Sequence, residues 1–344
     1  MKTDVNALAE NGKTISRNKK SGGYILKNKT KKWTVSIVRA LLLFGLCFMI
    51  IQPILARIGV SLMSEKDLYD STVVLLPRHA TLDNYRIVAE LTALKGMNNG
   101  AWTFGSMLNT LWVSLVSSLF QIISCTLVGY GFARYSFPLK KLWFALVIAV
   151  IIIPPQTISI PLYTNFVNFD IFGIFRATKG DSLNLLKSPL PYLLMCLTCM
   201  GLKDGLYIYM LRTYFQGIPK SLEEAAYVDG CSTMHTFVRI MLPDAIPTIA
   251  SCFLFSFVWQ WTDLFYTRNF FKTFDMYSIK LNSIAGSVSG YFSKGNSATV
   301  QVAPARVQQL INIGILFCII PLIILYIFTQ KTFVQSIAMS GSKE

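Results

Sequence analysis

The chain is a series of long apolar runs joined by polar connections. Leu108 to Phe132 passes without a single charge, and similar runs occupy 35–56, 142–166, 190–212, 246–266 and 308–328. A helix rises ~1.5 Å per residue, so each run is long enough to cross ~30 Å of hydrocarbon. The runs are continuous rather than alternating, which argues against the strands of a membrane barrel. The pattern predicts an all-α, polytopic membrane helix bundle with six transmembrane helices. Two runs carry flaws. Pro154-Pro155 and Pro161 break the third, and Lys203-Asp204 falls near the middle of the fourth. Ionisable groups in a bilayer are costly and face a bundle interior or a wet cavity. Gly201-x-x-x-Gly205 brackets the pair, a spacing that permits close helix approach.

Composition agrees with the pattern. Of 344 residues, 53% are hydrophobic and 14% charged, against about 25% charged in soluble domains. That is too little charge for a soluble surface and too much apolar content for a disordered chain. The net charge of +15 then needs a location. Residues 1–32 hold nine Lys/Arg and two acids. They read as a basic, mostly disordered cytoplasmic tail before a membrane domain at 33–344. The flank is longer than that of a signal peptide and no A-x-A site follows, so the first run is expected to stay as a helix. The positive-inside rule places the tail in the cytoplasm, and six crossings bring the C-terminus back there. Residues 133–141 add three more basic groups inside. The segment 267–307, with five basic residues and one acid, falls outside. Topology does not explain it. Charge placed this way is no footprint of nucleic acid; the lipid bilayer is the implied surface.

Candidate chemistry is sparse. Six of the seven cysteines lie in or beside apolar runs, where they pack as small residues. Cys196-x-x-Cys199 has redox spacing but sits in a run with no companion pair. His79 and His235 are separated by topology. There is no P-loop, HExxH or GxSxG, so the expectation is a non-enzyme with no metal or cofactor of its own. Lys203 and Asp204 are candidates for a substrate pathway, as are Trp259, Trp261 and Asp263. Aromatic plus carboxylate is a way to hold a sugar. For Lys203-Asp204 a mutual ion pair at a helix kink, or a span that begins later, is favoured over the pathway reading. An interfacial aromatic belt explains the tryptophans and Asp263 equally well.

The connection between the fourth and fifth runs is the informative segment. Ser221 and Glu224 have the S-x-x-E spacing of a capping box, and Pro219 precedes them. A short helix over about 222–229 would stop at Gly230. Ser232 can cap a second helix, in which Phe237, Ile240 and Met241 share a face before Leu242-Pro243. Two stiff, angled helices suit a knob in a partner's groove. A plain connector remains the alternative on these grounds alone.

Glu224-Ala225-Ala226-x-x-Asp229-Gly230, eight residues, then Ile240-x-Leu242-Pro243 resembles the EAA loop of ABC-importer permeases. Cys231 stands where that family usually has Ala. Leu82-Asp83-Asn84-Tyr85, Asn109-Thr110-Leu111, Tyr130-x-Phe132-Ala133-Arg134-x-x-Phe137-Pro138, Trp261-Thr262-Asp263 and the tail Phe333 to Gly341 resemble the maltose-permease-like carbohydrate branch. The resemblance covers about 35–341, departing at the basic tail, at 173–188 and at 286–306. It implies a type I ABC-importer permease fold, with an EAA coupling loop at 216–244. It also implies a second homologous permease subunit, two ATPase subunits that bind ATP and Mg, and an extracellular solute-binding protein. On this resemblance Glu224 would supply a polar contact and Gly230 the bend. The apolar face around Phe237 would seat in the ATPase. A permease for a non-sugar solute is the nearest alternative. A secondary transporter needs repeated halves and an ion site, and no clear repeat relates 35–165 to 190–328.

Overall fold

The computed structural model describes residues 3–93, 105–170, 183–271, 274–293 and 301–341. Parts of the expected insertions at 173–188 and 286–306 lie outside these residues. Regular structure among the described residues is helical, with two isolated bridges, Met63 to Ala80 and Phe169 to Leu183. The helices are α1 (Thr3–Leu62), α2 (Glu65–Tyr69), α3 (Asp83–Leu91), α4 (Ser106–Arg134), α5 (Lys140–Ile152), α6 (Pro155–Val167) and α7 (Leu190–Leu197). After them come α8 (Asp204–Gly217), α9 (Lys220–Val228), α10 (Thr233–Asp244), α11 (Ile246–Thr262), α12 (Phe265–Phe270), α13 (Tyr277–Phe292) and α14 (Pro304–Gly341).

All six apolar runs fall on helices, but three are not straight rods. Lys32–Leu62, Ser106–Arg134 and Pro304–Lys331 are unbroken and long enough to cross a bilayer. The third run is α5 plus α6, bent by 101°. Pro154 and Pro155 cause this bend, since neither supplies an N–H and each steers its predecessor away from helix. The fourth run divides into α7 and α8. Cys199 (φ 57) and Lys203 (φ 67) take left-handed backbone between them. Lys203-Asp204, near the middle of the fourth run, therefore sits at a break, with Lys203 the cap and Asp204 the first residue of α8. The fifth run begins at Ile246, where α10 meets α11 at 72°. The basic segment, expected as a mostly disordered tail, is helical backbone over residues 3–32 and forms the first half of α1. Extending a helix from an existing turn costs far less than starting one.

Helix α4 is the spine, packing against α7, α8 and α11. Its inner face carries Ser114, Ser117, Ser118 and Gln121, all buried, while Leu115, Leu119, Ile123 and Leu127 point outward. This inside-out pattern suits lipid, where close approach by small residues replaces the hydrophobic drive. Gly129 lets α8 close on α4: a Cβ there would stand 3.0 Å from the Leu211 Cβ. Gly205 does the same for α8 on α5, where a Cβ would meet the Val147 carbonyl oxygen at 2.8 Å.

Side chains latch the C-terminal end of α1. Asn84 donates to the Met63 carbonyl at 2.9 Å, and Gln309 donates to those of Val60 and Met63 at 2.8 Å. Tyr85 and Ser61 share a 2.6 Å bond. This accounts for Leu82-Asp83-Asn84-Tyr85: it fastens the end of α1, whose apolar window is otherwise unburied. Asn109 and Thr110 bond the backbone at Asp275 and Tyr277, tying α4 to the start of α13. Asp67 accepts from the His79 backbone N–H at 2.6 Å and pairs with its ring Nδ1 at 2.8 Å. Those bonds hold its carboxyl below the usual value of 3.8.

Two outcomes follow for stability. Gly205→Ala will lower the thermal midpoint of the solubilised protein, since overpacking costs about 1–3 kcal/mol. Gly131→Ala, with no neighbour in reach, will leave the midpoint level or raise it. The Asp67 contribution is present above pH 3.8 and is lost as pH falls through its lower folded value. The midpoint gap between wild type and Asp67→Asn will therefore close in acid; a gap unchanged from pH 7 to pH 3 contradicts this.

Candidate functional sites

The angled loop between α8 and α11 is built as a mounted knob. Its first helix starts at Lys220, directly after Pro219. No side chain caps it, so the expected Ser221–Glu224 box does not form; both residues lie inside the first turns. Pro219, with φ −58, already sets the entry. The stop is as expected. Gly230 takes φ +82, and the Cys231 N–H reaches back to the Ala226 carbonyl at 2.9 Å. Ser232 then caps α10 by accepting from the His235 N–H at 3.4 Å.

The two glutamates face opposite ways. Glu223 is buried, with Arg134 Nε 3.2 Å from its carboxylate and the Tyr130 hydroxyl donating at 3.2 Å. Arg134 also donates to the Ile218 carbonyl at 2.8 Å. The end of α4 thus grips the loop at two points. Glu224, Ala225 and Asp229 are exposed, and Ala226 is buried beside Glu223. Phe237 corrects the reading of the second helix. It is buried, with its ring 4.5 Å from Tyr130 and 6.4 Å from Phe215, centroid to centroid. It anchors the loop to its own bundle and cannot seat in a partner as packed. A π-type turn over Phe237–Met241 rotates the helix here, leaving Ile240 and Leu242 half-buried and Pro243 exposed. The outward apolar face is instead Leu222, Tyr227, Val228 and Met234, with Val228 86% exposed.

At the break in the fourth run, Asp204 and Lys203 part company. The Asp204 carboxylate is buried and accepts from Gln121 Nε2 and the Gly201 N–H. Gln121 also donates to the Leu202 carbonyl at 2.7 Å. Its own oxygen accepts from Ser256 at 2.5 Å and Gln260 at 2.8 Å. Lys203 points the other way, exposed, with Nζ 5.3 Å from the Trp259 ring centroid. The pair is not a mutual ion pair. A cavity of ≈ 340 Å³ opens beside it, lined by Val150 to Pro155, Met200, Lys203, Asp204 and Tyr266.

The other candidates do not join one site. Trp261 is buried, stacks on Phe257 and donates Nε1 to the Cys318 carbonyl at 3.1 Å. Asp263 accepts from the Thr267 N–H at 2.8 Å, steadying the first turn of α12. Trp259, 46% exposed, keeps a free face. Sequence reasoning missed Glu223 as the anchor, and Gln121 and Gln260 as the membrane node. Glu223 shares an i, i+3 face with Ala226; Gln121 is a polar residue inside a charge-free run, and Gln260 lies in a run whose one charge is Asp263. Among the described residues, no three His, Cys, Asp or Glu side chains converge to hold a metal.

Comparison with known proteins matches this architecture. The arabinooligosaccharides transport system permease protein AraQ of Halalkalibacterium halodurans is 25% identical over 319 residues, covering 91% of this chain and 99% of that protein. The galactooligosaccharides transport system permease protein GanQ of Bacillus subtilis is 24% identical over 318 residues, covering 92% and 98%. The crystal structure of a bacterial ABC transporter involved in the import of the acidic polysaccharide alginate has a similar fold. Its TM-score is 0.62 at 19% identity, covering 87% of this chain and 96% of that one. The family model described as binding-protein-dependent transport system inner membrane component matches residues 125–338, from within α4 to α14 and including the whole mounted loop. The chain belongs to that family: it is a permease component of a binding-protein-dependent ABC transporter.

Proposed function

We propose that this chain is one permease half of an ATP-driven importer of sugars or oligosaccharides, driven through α9 and α10. The observation that carries the reading is the exposed face of Leu222, Tyr227 and Val228 on a loop clamped to α4 by the Glu223–Arg134 pair. Only a stiffly mounted element passes force between subunits. Glu224, Asp229 and the outward apolar face would meet one of two ATPase subunits, which hold ATP and Mg. Nucleotide closure would draw this loop toward that of a second permease and turn α4 with it. N- and C-termini would then lie in the cytoplasm, and a solute-binding protein would deliver substrate from outside. The names of AraQ and GanQ support a carbohydrate substrate. Trp259 and Lys203 would line the pathway, the ring stacking on a sugar face and the ammonium bonding its hydroxyls.

The test is reconstitution of the complex with its binding protein. Arabino- or galacto-oligosaccharides will stimulate ATP hydrolysis, while amino acids will not; the reverse result overturns the sugar reading. Gly230→Pro cannot adopt φ +82. It will reach the membrane but lose stimulated hydrolysis and uptake, and normal rates in this variant would refute the coupling role. Glu223→Ala leaves Arg134 unpaired at a buried site, a loss of about 3–5 kcal/mol. It will uncouple hydrolysis from uptake, whereas Trp259→Ala will raise half-saturating substrate and spare basal hydrolysis.

A further inference from the structure

At the loop end of α5, basic side chains gather without acids. Arg212, on α8, lies over the Phe144 ring, with its guanidinium carbon 3.8 Å from the centroid. Phe144 is one turn along α5 from Lys140, so Lys140 and Arg212 share one corner of the bundle. Lys140 donates to the Tyr135 carbonyl at 2.7 Å, leaving two of its three protons free. The charges acting on Lys140 are those of Arg212 and Lys220, both positive. Arg212 Nε is buried without a hydrogen-bond partner. Lys141 is exposed beside them. Among the described residues, no carboxylate pairs with any of these cations.

Beside the cluster runs an open groove of ≈ 440 Å³, lined by Phe132, Phe137, Trp143, Leu146, Val147 and Val150. Phe137 and Trp143 flank Lys140 in the chain, so the groove starts where the charge lies. Helix α5 buries none of its residues in this chain. Its groove lies open on an apolar helix beside the cations, and an acyl chain attached to a phosphate headgroup matches both features. Guanidinium and ammonium groups bond phosphate oxygens strongly.

We propose that Lys140, Lys141 and Arg212, with the Phe137–Val150 groove, bind an anionic phospholipid: the cations hold its phosphate and the groove takes an acyl chain. The orientation given above supplies the leaflet, the one on the coupling-loop side; the site itself does not depend on the sugar reading. An occupied site would brace α5 against α8 next to Gly205, where the fourth run breaks.

The assembled complex, released from nanodiscs holding phosphatidylglycerol or phosphatidylcholine, is examined by native mass spectrometry. Wild type will retain phosphatidylglycerol in preference. Arg212→Gln and Lys140→Gln will each weaken retention about five-fold, and Lys331→Gln, at the end of another span, will not. Leu146→Trp, which fills the groove and alters no charge, will also lower retention. Equal retention of both lipids overturns the proposal, as does wild-type retention in the Arg212 and Lys140 variants. Displacement by millimolar inorganic phosphate makes it a free-anion site and overturns it too. If Leu146→Trp releases the second permease subunit with lipid retention intact, the groove is a protein interface and the proposal fails. Loss of sugar stimulation with these lipid results unchanged would refute only the transport reading.

Discussion

In hydrocarbon there is no water to satisfy a free backbone group, so a broken helix must find partners inside the protein. The break between α7 and α8 is where this constraint bites hardest. Its Gly201 N–H and Leu202 carbonyl are taken up by Asp204 and Gln121. Gln121 is fully used: its amide serves the break and its oxygen takes protons from Ser256 and Gln260 on α11. One side chain on α4 thus keys two other helices. Slide α4 by a turn and the break, the carboxylate and two α11 side chains lose their partners together. The bundle's register depends on this node more than on apolar packing, which lipid itself would replace.

The same helix repeats the device at its other end. Arg134 takes the Ile218 carbonyl where α8 stops and the Glu223 carboxylate where α9 turns. Thirteen residues of unbroken helix separate Gln121 from Arg134, about 20 Å at the usual rise. Both the membrane break and the loop are therefore mounted on one straight rod. A tilt imposed on the loop is carried to the break without passing through a hinge. Phe237 and Tyr130 fill the space between rod and loop, so the joint is packed as well as bonded. That is a physical reason for an aromatic at Phe237 quite different from docking on another subunit.

How much was legible in the chain follows from which forces act locally. The six runs and the angled loop could be read because length, apolarity and turn residues are local properties. Gly230 was placed correctly because a left-handed stop favours glycine wherever it occurs. The bends at Pro154 and Cys199 to Lys203 were visible as flaws, but their size is set by neighbours that fill the gap. Glu223 and Glu224 are indistinguishable by type. What separates them is Arg134, far away in sequence, and the two-residue shift of the helix start to Lys220. Phe237 was misjudged for a related reason: a shared face shows that residues lie together, not which side they face. Trp261 and Asp263 looked like a sugar site because their chemistry suits one, yet their bonds to Cys318 and Thr267 are structural.

Lys203 remains the position where geometry and chemistry pull apart. Left-handed backbone costs a non-glycine residue about 1–2 kcal/mol, and here it falls on a lysine within the fourth apolar run. The strain is not relieved by Asp204, whose carboxylate faces the opposite way into the Gln121 node. It is the consequence of that node. Holding Asp204 inward at the first turn of α8 obliges the preceding residue to turn back on itself and project outward. Trp259 on α11 then receives the ammonium. Because α11 also supplies Ser256 to the node, three residues before Trp259 and on the same stretch of helix, the inner and outer contacts are coupled. A movement of α11 that draws Ser256 away from Gln121 would also shift Trp259 beneath Lys203. The buried amide that holds the break together is in this way also the element that positions the exposed cation.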